Sequence, residues 1–564
     1  MEKYNIIRNR GLRMTVKLLG AAFFILHASC FISCSDWDDH YDAAHSSGGS
    51  GTTLWQQIQA QSELSDFCKV LQQTKVFRMH KKTTVSYADL LDSGQLFTVV
   101  APKNGTFNAD SLLRLTETNQ GDSVVEKNFV LNHLSRSTTS LTADDQQMLM
   151  LNSKYVTLGG NTIQGINISQ PNCHAKNGIL HIADASLPYE YNLYEALCDM
   201  ADMSAVGAIL RLYEWDDFDA EASVSSGLVE GVPVYVDSVV YERNRMLDYI
   251  GLIHSEDSTY WVVAPTQAGW QKAWDETSKY FVYDESVKKG DSLQTFWTAR
   301  ALLSDAVFNM TDQKSVDDSL VSVPYINWRR SYVAGKPVYH VFNKPFAAGG
   351  ILAGARRVEC SNGVLYKTDE WPFKPEETFF KEIWVEGENI QLITETDTYK
   401  KNGKDEPACY TNIRRQVADS ISENSYLQIV PADNSKNWGL TFNVKNTLSG
   451  CYDICAIILP KSVYDPVNPD VKPCKFKADI NYVDEKGKSQ KFKCNAGKDI
   501  KSDPEKVDTI VLAEAFTFPT CNYDQNNTNV TVKLTCSISP LENTKYAREM
   551  YLDCIYLRPK MKNE

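Results

Sequence analysis

The sequence predicts a multidomain α+β protein, with two mixed helix-and-strand units in tandem and an all-β sandwich after them. Three observations carry that prediction. Helical spacing and short β-rich apolar runs are interleaved up to about residue 375. One pattern occurs twice: an apolar strand ending in Ala-Pro, then, much later, an Asn-Gly turn opening a second apolar strand. Beyond Thr378 only strands remain, each alternating apolar with polar residues. At 564 residues the chain is too long for one hydrophobic core.

In the first unit, Trp55, Ile58, Leu64, Phe67 and Leu71 fall at helical spacing, which predicts one or two helices over 53–76. Leu96 to Val100 reads as a strand, stopped by Ala101-Pro102 and the turn-prone Lys103-Asn104-Gly105. Val124, Val125, Phe129, Val130 and His133 restore the helical period over 123–134. Strands follow around Tyr155–Leu158, Thr162–Ile168 and Ile179–Ala183.

These residues carry a family resemblance. Phe97-Thr98-Val99-Val100-Ala101-Pro102-Lys103-Asn104-Gly105-Thr106-Phe107 resembles the first signature block of fasciclin domains. Asn177-Gly178-Ile179-Leu180-His181-Ile182-Ala183-Asp184 resembles the second block, and Asn128-Phe129-Val130-Leu131-Asn132-His133 the middle motif, with Asn132 where the family has tyrosine. The resemblance covers 53–190. It returns in a divergent form over 191–375. There Tyr260-Trp261-Val262-Val263-Ala264-Pro265 parallels the first block and Ser361-Asn362-Gly363-Val364-Leu365-Tyr366 the second, and no histidine matches the middle motif. The spacing from Ala101 to Asn177 is 76 residues, and from Ala264 to Asn362 it is 98. The added length is expected in Trp215–Val232 and Ser315–Lys344. The resemblance implies that His133 is a buried packing residue, and His181, in an apolar strand, is read the same way.

Residues 376–564 form the predicted sandwich. Leu440, Phe442 and Val444, then Phe476, Ala478, Ile480 and Tyr482, then Val530, Val532, Leu534, Cys536 and Ile538 each alternate with polar neighbours. With Tyr556-Leu557-Arg558-Pro559 in the closing strand, the layout resembles galactose-binding-like jelly rolls, and so carbohydrate-binding modules. Trp438 and Tyr410 are the candidate ligand-binding aromatics, because a flat ring covers the apolar face of a pyranose. Eight of the 14 cysteines lie here, which allows 105 pairings. Bridged and reduced states both fit the pattern.

Basic residues through Lys17 precede an apolar run from Leu18 to Leu26, too short to span a bilayer, so residues 1–33 are expected to be a removed signal peptide starting at Met1 or Met14. Phe31-Ile32-Ser33-Cys34 resembles a lipoprotein cleavage site with Cys34 acylated, and Cys30 is the competing site. Ser35-Asp36-Trp37-Asp38-Asp39 resembles the export signal of Bacteroidetes surface lipoproteins. The rest of 34–52 is a Ser/Gly-rich tether. The expected location is the outer membrane, lipid-anchored and facing the exterior. Net charge is -13 and falls to -17 without residues 1–33, which argues against nucleic acid as a partner.

No Gly-x-Ser-x-Gly elbow, phosphate loop, His-Glu-x-x-His helix or Cys-x-x-Cys pair occurs. Adjacent acids at Asp216-Asp217 and Asp317-Asp318 read as solvated loops. No catalytic residue, metal or cofactor is expected. Fasciclin domains as a family mediate adhesion and matrix or glycan contact, so the expected role is a non-catalytic surface lipoprotein that binds a glycan or extracellular matrix ligand. The rival expectations are a structural accessory subunit of an outer-membrane nutrient-import complex and, third, a polysaccharide hydrolase.

Overall fold

The computed structural model describes residues 51–564 except 79, 230–231, 312–318, 324, 327–336, 397, 402–403, 408, 415–420, 432–434, 465–466, 468–470, 526, 528 and 562–564. It describes backbone alone at 222, 224–229, 232–239, 325–326, 337–338, 395–396, 398–401, 404–407, 409–414 and 463–464. Two compact units result: one takes the chain up to 190 together with 215–243, the other 191–214 and 244–564.

In the first unit, Thr53 forms a capping box with Gln56 and starts the helix Leu54–Ala60, which is followed by Ser65–Gln73. Ile58, Leu64, Phe67 and Leu71 are fully buried, as their spacing predicts, whereas Trp55 is half-buried and its neighbour Leu54 takes the core position. The strand Phe97–Pro102 runs parallel to Gly178–Ala183, pairing Phe97 with Gly178 and Val100 with His181. Both strands are buried along their whole length, as parallel strands covered on two faces must be. They are the second and third strands of a seven-stranded sheet, each with a neighbour on both sides. The predicted strand Thr162–Ile168 is broken by a tight turn: Gln164 at φ 50° and Gly165 at φ 75° supply two left-handed residues between Thr162–Ile163 and Ile166–Ala175. The predicted helix over 123–134 is an α-helix, Asn119–Val125, that widens into a π turn, Glu126–Val130, and tightens again over Leu131–His133.

The second unit repeats that local plan. Asn192 and Glu195 form the capping box of Leu193–Asp199, and Ser204–Arg211 follows. Tyr260–Pro265 runs parallel to Gly363–Thr368 in a four-stranded sheet. Leu134–Ser135 and Val307–Asn309 are the antiparallel neighbours of the two first-block strands. Register therefore puts Ala306 where the first unit has His133, and Asp305 where it has Asn132. The extra length of this half of the sequence forms the hairpin Glu214–Val229 with Val232–Asn244, and the short pair Ser319–Val321 with Val341–Asn343.

The sandwich has two six-stranded sheets. One runs Cys409–Arg414, Ser425–Val430, Met550–Pro559, Gly450–Leu459 and Asp508–Phe518, with Ile383–Glu386 also on Met550–Pro559. The other runs Ile393–Thr396, Gly439–Asn443, Thr531–Cys536, Lys475–Val483 and Ser489–Lys493, with Ile500–Lys501 also on Lys475–Val483. Its apolar core is continuous with that of the α/β part of the same unit. Tyr280 packs on Phe380 at 4.7 Å and Trp297 on Tyr523 at 4.8 Å between ring centroids. Backbone bonds cross the joint from Ser449 N–H to Tyr280 O (2.9 Å), Cys521 N–H to Val282 O (2.6 Å) and Glu285 N–H to Glu485 O (2.9 Å).

Candidate functional site

The chemically richest place in the sandwich is a bulge in its last strand. Ile457 pairs with Cys554 and Ile458 with Leu552, so Asp553 is an inserted residue without a partner on that side. On the opposite side, residues 550–552 pair with Ser425–Val430 and 554–557 with Ile383–Glu386, so Asp553 marks the point where one neighbouring strand gives way to the other. Gly387 N–H donates to Asp553 O at 2.8 Å. A Cβ on Gly387 would stand 2.6 Å from Leu552 O, so only glycine permits that approach.

Val385 and Ile555 point into the apolar core, which leaves Glu386 and Cys554 on the sheet's other face. The bulge brings Asp553 to them. One donor atom each from Glu386, Asp553 and Cys554 lies within 4.8 Å of the other two. Ser422 N–H donates to both Asp553 carboxylate oxygens (3.1 and 3.3 Å) and Ser422 Oγ to Glu386 Oε1 (2.9 Å). Ser425 Oγ donates to Glu388 Oε1. Burial, and then the Glu386 and Glu388 charges, push the Asp553 carboxyl up to about 7 against the pull of the Ser422 N–H. The Cys554 thiol is driven far above its ordinary range by burial and by the same three carboxylates.

On the same face, Trp384 and Tyr556 pair across the two strands and stack at 4.9 Å and 14°. Both are half-buried. The indole N–H donates to Glu382 Oε2 (3.2 Å), and Arg558 reaches Asp453 Oδ2 (2.9 Å). Among the described residues no strand pairs with Ile383–Glu386 on its far side, so the second face of Trp384 has no strand beside it.

The residues singled out from sequence fare differently. Trp438 is a correction: it is 0% exposed, and its Nε1–H donates to Arg548 O at 2.7 Å, so it is a core ring with its polar atom satisfied and offers no face to a ligand. The side chain of Tyr410 and all of Cys34, Cys30 and Asp317-Asp318 lie outside the described residues. His133 is fully buried. Its Nε2 accepts the Leu187 N–H (3.0 Å), which leaves Nδ1–H to donate to Phe129 O (2.7 Å). His181 bonds Asn172 N–H (3.2 Å) and Thr139 O (3.0 Å). Both are packing residues. In the second unit Ala306 stands in place of His133, and the carboxylate of Asp305, at the register position of Asn132, takes His340 Nδ1 at 2.6 Å and Ser322 Oγ at 3.2 Å. Asp216 and Asp217 pair at the surface with His80 and Arg243. No two of the described cysteines are joined by a disulfide. Glu386, Asp553 and Cys554 were not foreseen, nor were Trp384 and Tyr556. Glu386 and Asp553 are far apart in sequence, and no spacing rule joins them.

No protein-family model matches the chain, and no curated protein matches it. Solved structures do. A FAS1 domain pair from the insect cell adhesion molecule fasciclin I is 12% identical over 50% of this chain and 90% of its own, with a TM-score of 0.18. The CBM22-1 xylan-binding domain of Paenibacillus barcinonensis Xyn10C is 11% identical over 31% of this chain and 92% of its own, with a TM-score of 0.19. A family 35 carbohydrate-binding module from Clostridium thermocellum is 11% identical over 32% of this chain and 99% of its own, with a TM-score of 0.18. Fasciclin and carbohydrate-binding modules are therefore among the solved structures that this chain is similar to.

Proposed function

We propose that this chain is an exported, non-catalytic binding protein, anchored by an acylated Cys34, in which two fasciclin-type units present a jelly-roll sandwich to a glycan. The observation that supports the glycan reading is the Trp384–Tyr556 stack. A half-buried indole is held rigid by a ring on one face, has no strand against the other, and has Glu382 beside its N–H. A pyranose offers an apolar face to such a ring and hydroxyls to such a carboxylate. The packed joint with the α/β part supports a presenting role, since it fixes the sandwich on a support of the same unit.

The test is a screen of the full chain, as processed by the cell, against a polysaccharide panel by affinity electrophoresis, with Trp384→Ala beside it. Retardation on at least one glycan, reduced at least tenfold in the variant, is expected. No retention on any glycan, or retention unchanged in the variant, ends the glycan reading. Antibody labelling of intact cells tests the anchor, and labelling seen only after lysis ends it.

A further inference from the structure

The first unit buries two acids on one helix face. Asp122, in Asn119–Val125, and Glu126, which opens the π turn, lie one turn apart and are 0% and 7% exposed. The Tyr87 hydroxyl (2.6 Å) and the Phe77 N–H (2.8 Å) donate to Glu126 Oε1, and the Lys75 N–H reaches Asp122 Oδ2 at 3.4 Å. Asp122 Oδ1 is buried with no hydrogen-bond partner. Burial raises the Glu126 carboxyl above its ordinary range, against the pull of the Tyr87 and Phe77 donors. The cation on this pair is Lys82, from the strand Lys81–Ser86, whose Nζ stands 2.7 Å from Asp122 Oδ2.

Taking an ammonium and a carboxylate out of water is costly, and here one carboxylate oxygen has no donor to offset the loss. An amide between the two groups carries no charge and removes that cost. The contact also supplies the geometry. A held amine attacks a carboxyl carbon from about 3–3.5 Å, and an Nζ touching Oδ2 stands beside Cγ. We propose that Lys82 and Asp122 join in an isopeptide bond, with Glu126 moving the proton. The Lys82 ammonium first passes a proton to the Asp122 carboxylate, which leaves a free amine and a neutral acid. The Nζ lone pair then attacks Cγ. The Nζ–Cγ bond forms, a Cγ–O bond breaks, and Glu126 carries the second Nζ proton to the departing hydroxyl, which leaves as water. No oxidant or co-reactant is consumed. The product ties the strand Lys81–Ser86 covalently to the helix Asn119–Val125, and it stands whether or not the chain binds a glycan.

Peptide mass spectrometry of the full chain, folded and then digested with trypsin, reads the bond. An amidated Lys82 is not cleaved, so the expected product is a branched peptide in which 82–103 is joined to 115–127, lighter by one water than the two together. Lys82→Arg keeps the charge and is expected to give only linear peptides. Glu126→Gln keeps the side-chain size and is expected to cut the branched fraction at least tenfold at equal time after synthesis. A wild-type digest that holds only linear 83–103 and 115–127 overturns the proposal, as does a branched peptide that persists in Lys82→Arg. An unchanged branched fraction in Glu126→Gln overturns the role of Glu126. Should that variant not fold, the wild-type digest still decides the bond.

Discussion

Asn177 and Asn362 sit at the same register position of two different sheets and make the same three hydrogen bonds. Oδ1 of Asn177 accepts the Leu54 N–H (2.7 Å), and its amide donates to Leu91 O (2.9 Å) and Ser93 O (2.8 Å). Oδ1 of Asn362 accepts the Leu193 N–H (2.9 Å), and its amide donates to Ile253 O (2.8 Å) and Ser255 O (2.9 Å). Each thus staples the start of one helix, and the chain at or just beyond the end of another, to the head of a parallel strand. Replacing either by Ala leaves a buried N–H unanswered, and about 2–3 kcal/mol of stability should go. Urea unfolding of Asn177→Ala and Asn362→Ala checks this, and a loss under about 0.5 kcal/mol in both would remove the staple from the account.

The glycine after each asparagine is a second test. Gly178 and Gly363 hold φ near 145° and 148°, and a Cβ would lie 1.9 Å from Phe97 O and 1.8 Å from Tyr260 O. The obstacle is backbone of the neighbouring strand, so it cannot swing aside. Gly178→Ala and Gly363→Ala should each cost more than about 3 kcal/mol, from strain and clash together. Soluble yield and thermal midpoint read the effect, and wild-type values for both variants would contradict the geometry.

His133 makes the first unit acid-sensitive in a defined window. Burial lowers its pKa from 6.5 to about 4, and His181 is lowered as well, also chiefly by burial. The unfolded chain binds the proton near pH 6.5 while the native state refuses it until about 4. The stability His133 contributes is therefore complete above pH 6.5 and is lost as pH falls toward 4. At 1.36 kcal/mol per pKa unit the loss is about 3 kcal/mol. NMR of labelled histidine should show His133 neutral at pH 6, and a midpoint near 6.5 would reject its buried state.

How much of this was legible in the sequence follows from where each signal lies. The helix faces, both strand pairs and the sandwich strands were legible, because burial imposes a period on neighbouring residues. The break at Gln164-Gly165 was not, since an apolar run reads through a two-residue turn. Trp438 was misread although the signal was present: it is in phase with Leu440, Phe442 and Val444, all core residues, and that period outweighs its place at a strand end. Trp438→Ala should accordingly cost about 3–5 kcal/mol as a core truncation, measured by thermal unfolding, and leave glycan retention of the folded fraction unaltered. The cluster at Asp553 was out of reach. It depends on a bulge and on a strand from the other end of the domain, and neither leaves a local pattern.

The joint in the second unit sets a limit on dissection. Arg300 is 5% exposed, stacks on Trp297 and Tyr249 at 4.9 and 4.7 Å, and donates to the Tyr523 hydroxyl at 3.3 Å. Tyr523 in turn packs on Phe281 and Trp297, and its carbonyl accepts the Tyr283 hydroxyl (2.9 Å). A sandwich made alone, as residues 376–564, loses all of these partners and exposes Phe379, Phe380 and Tyr523 to water. Full burial of a large apolar side chain contributes about 1.5–3 kcal/mol, so several such losses together take most of a domain's margin of about 5–15 kcal/mol. The isolated sandwich should therefore unfold at a lower temperature than residues 191–564 and aggregate on heating. Tyr523→Ala in the full chain should move the second unit's transition the same way by a smaller amount. Calorimetry of the three proteins decides it: an isolated sandwich as stable as residues 191–564 would mean that the joint only juxtaposes two independent folds.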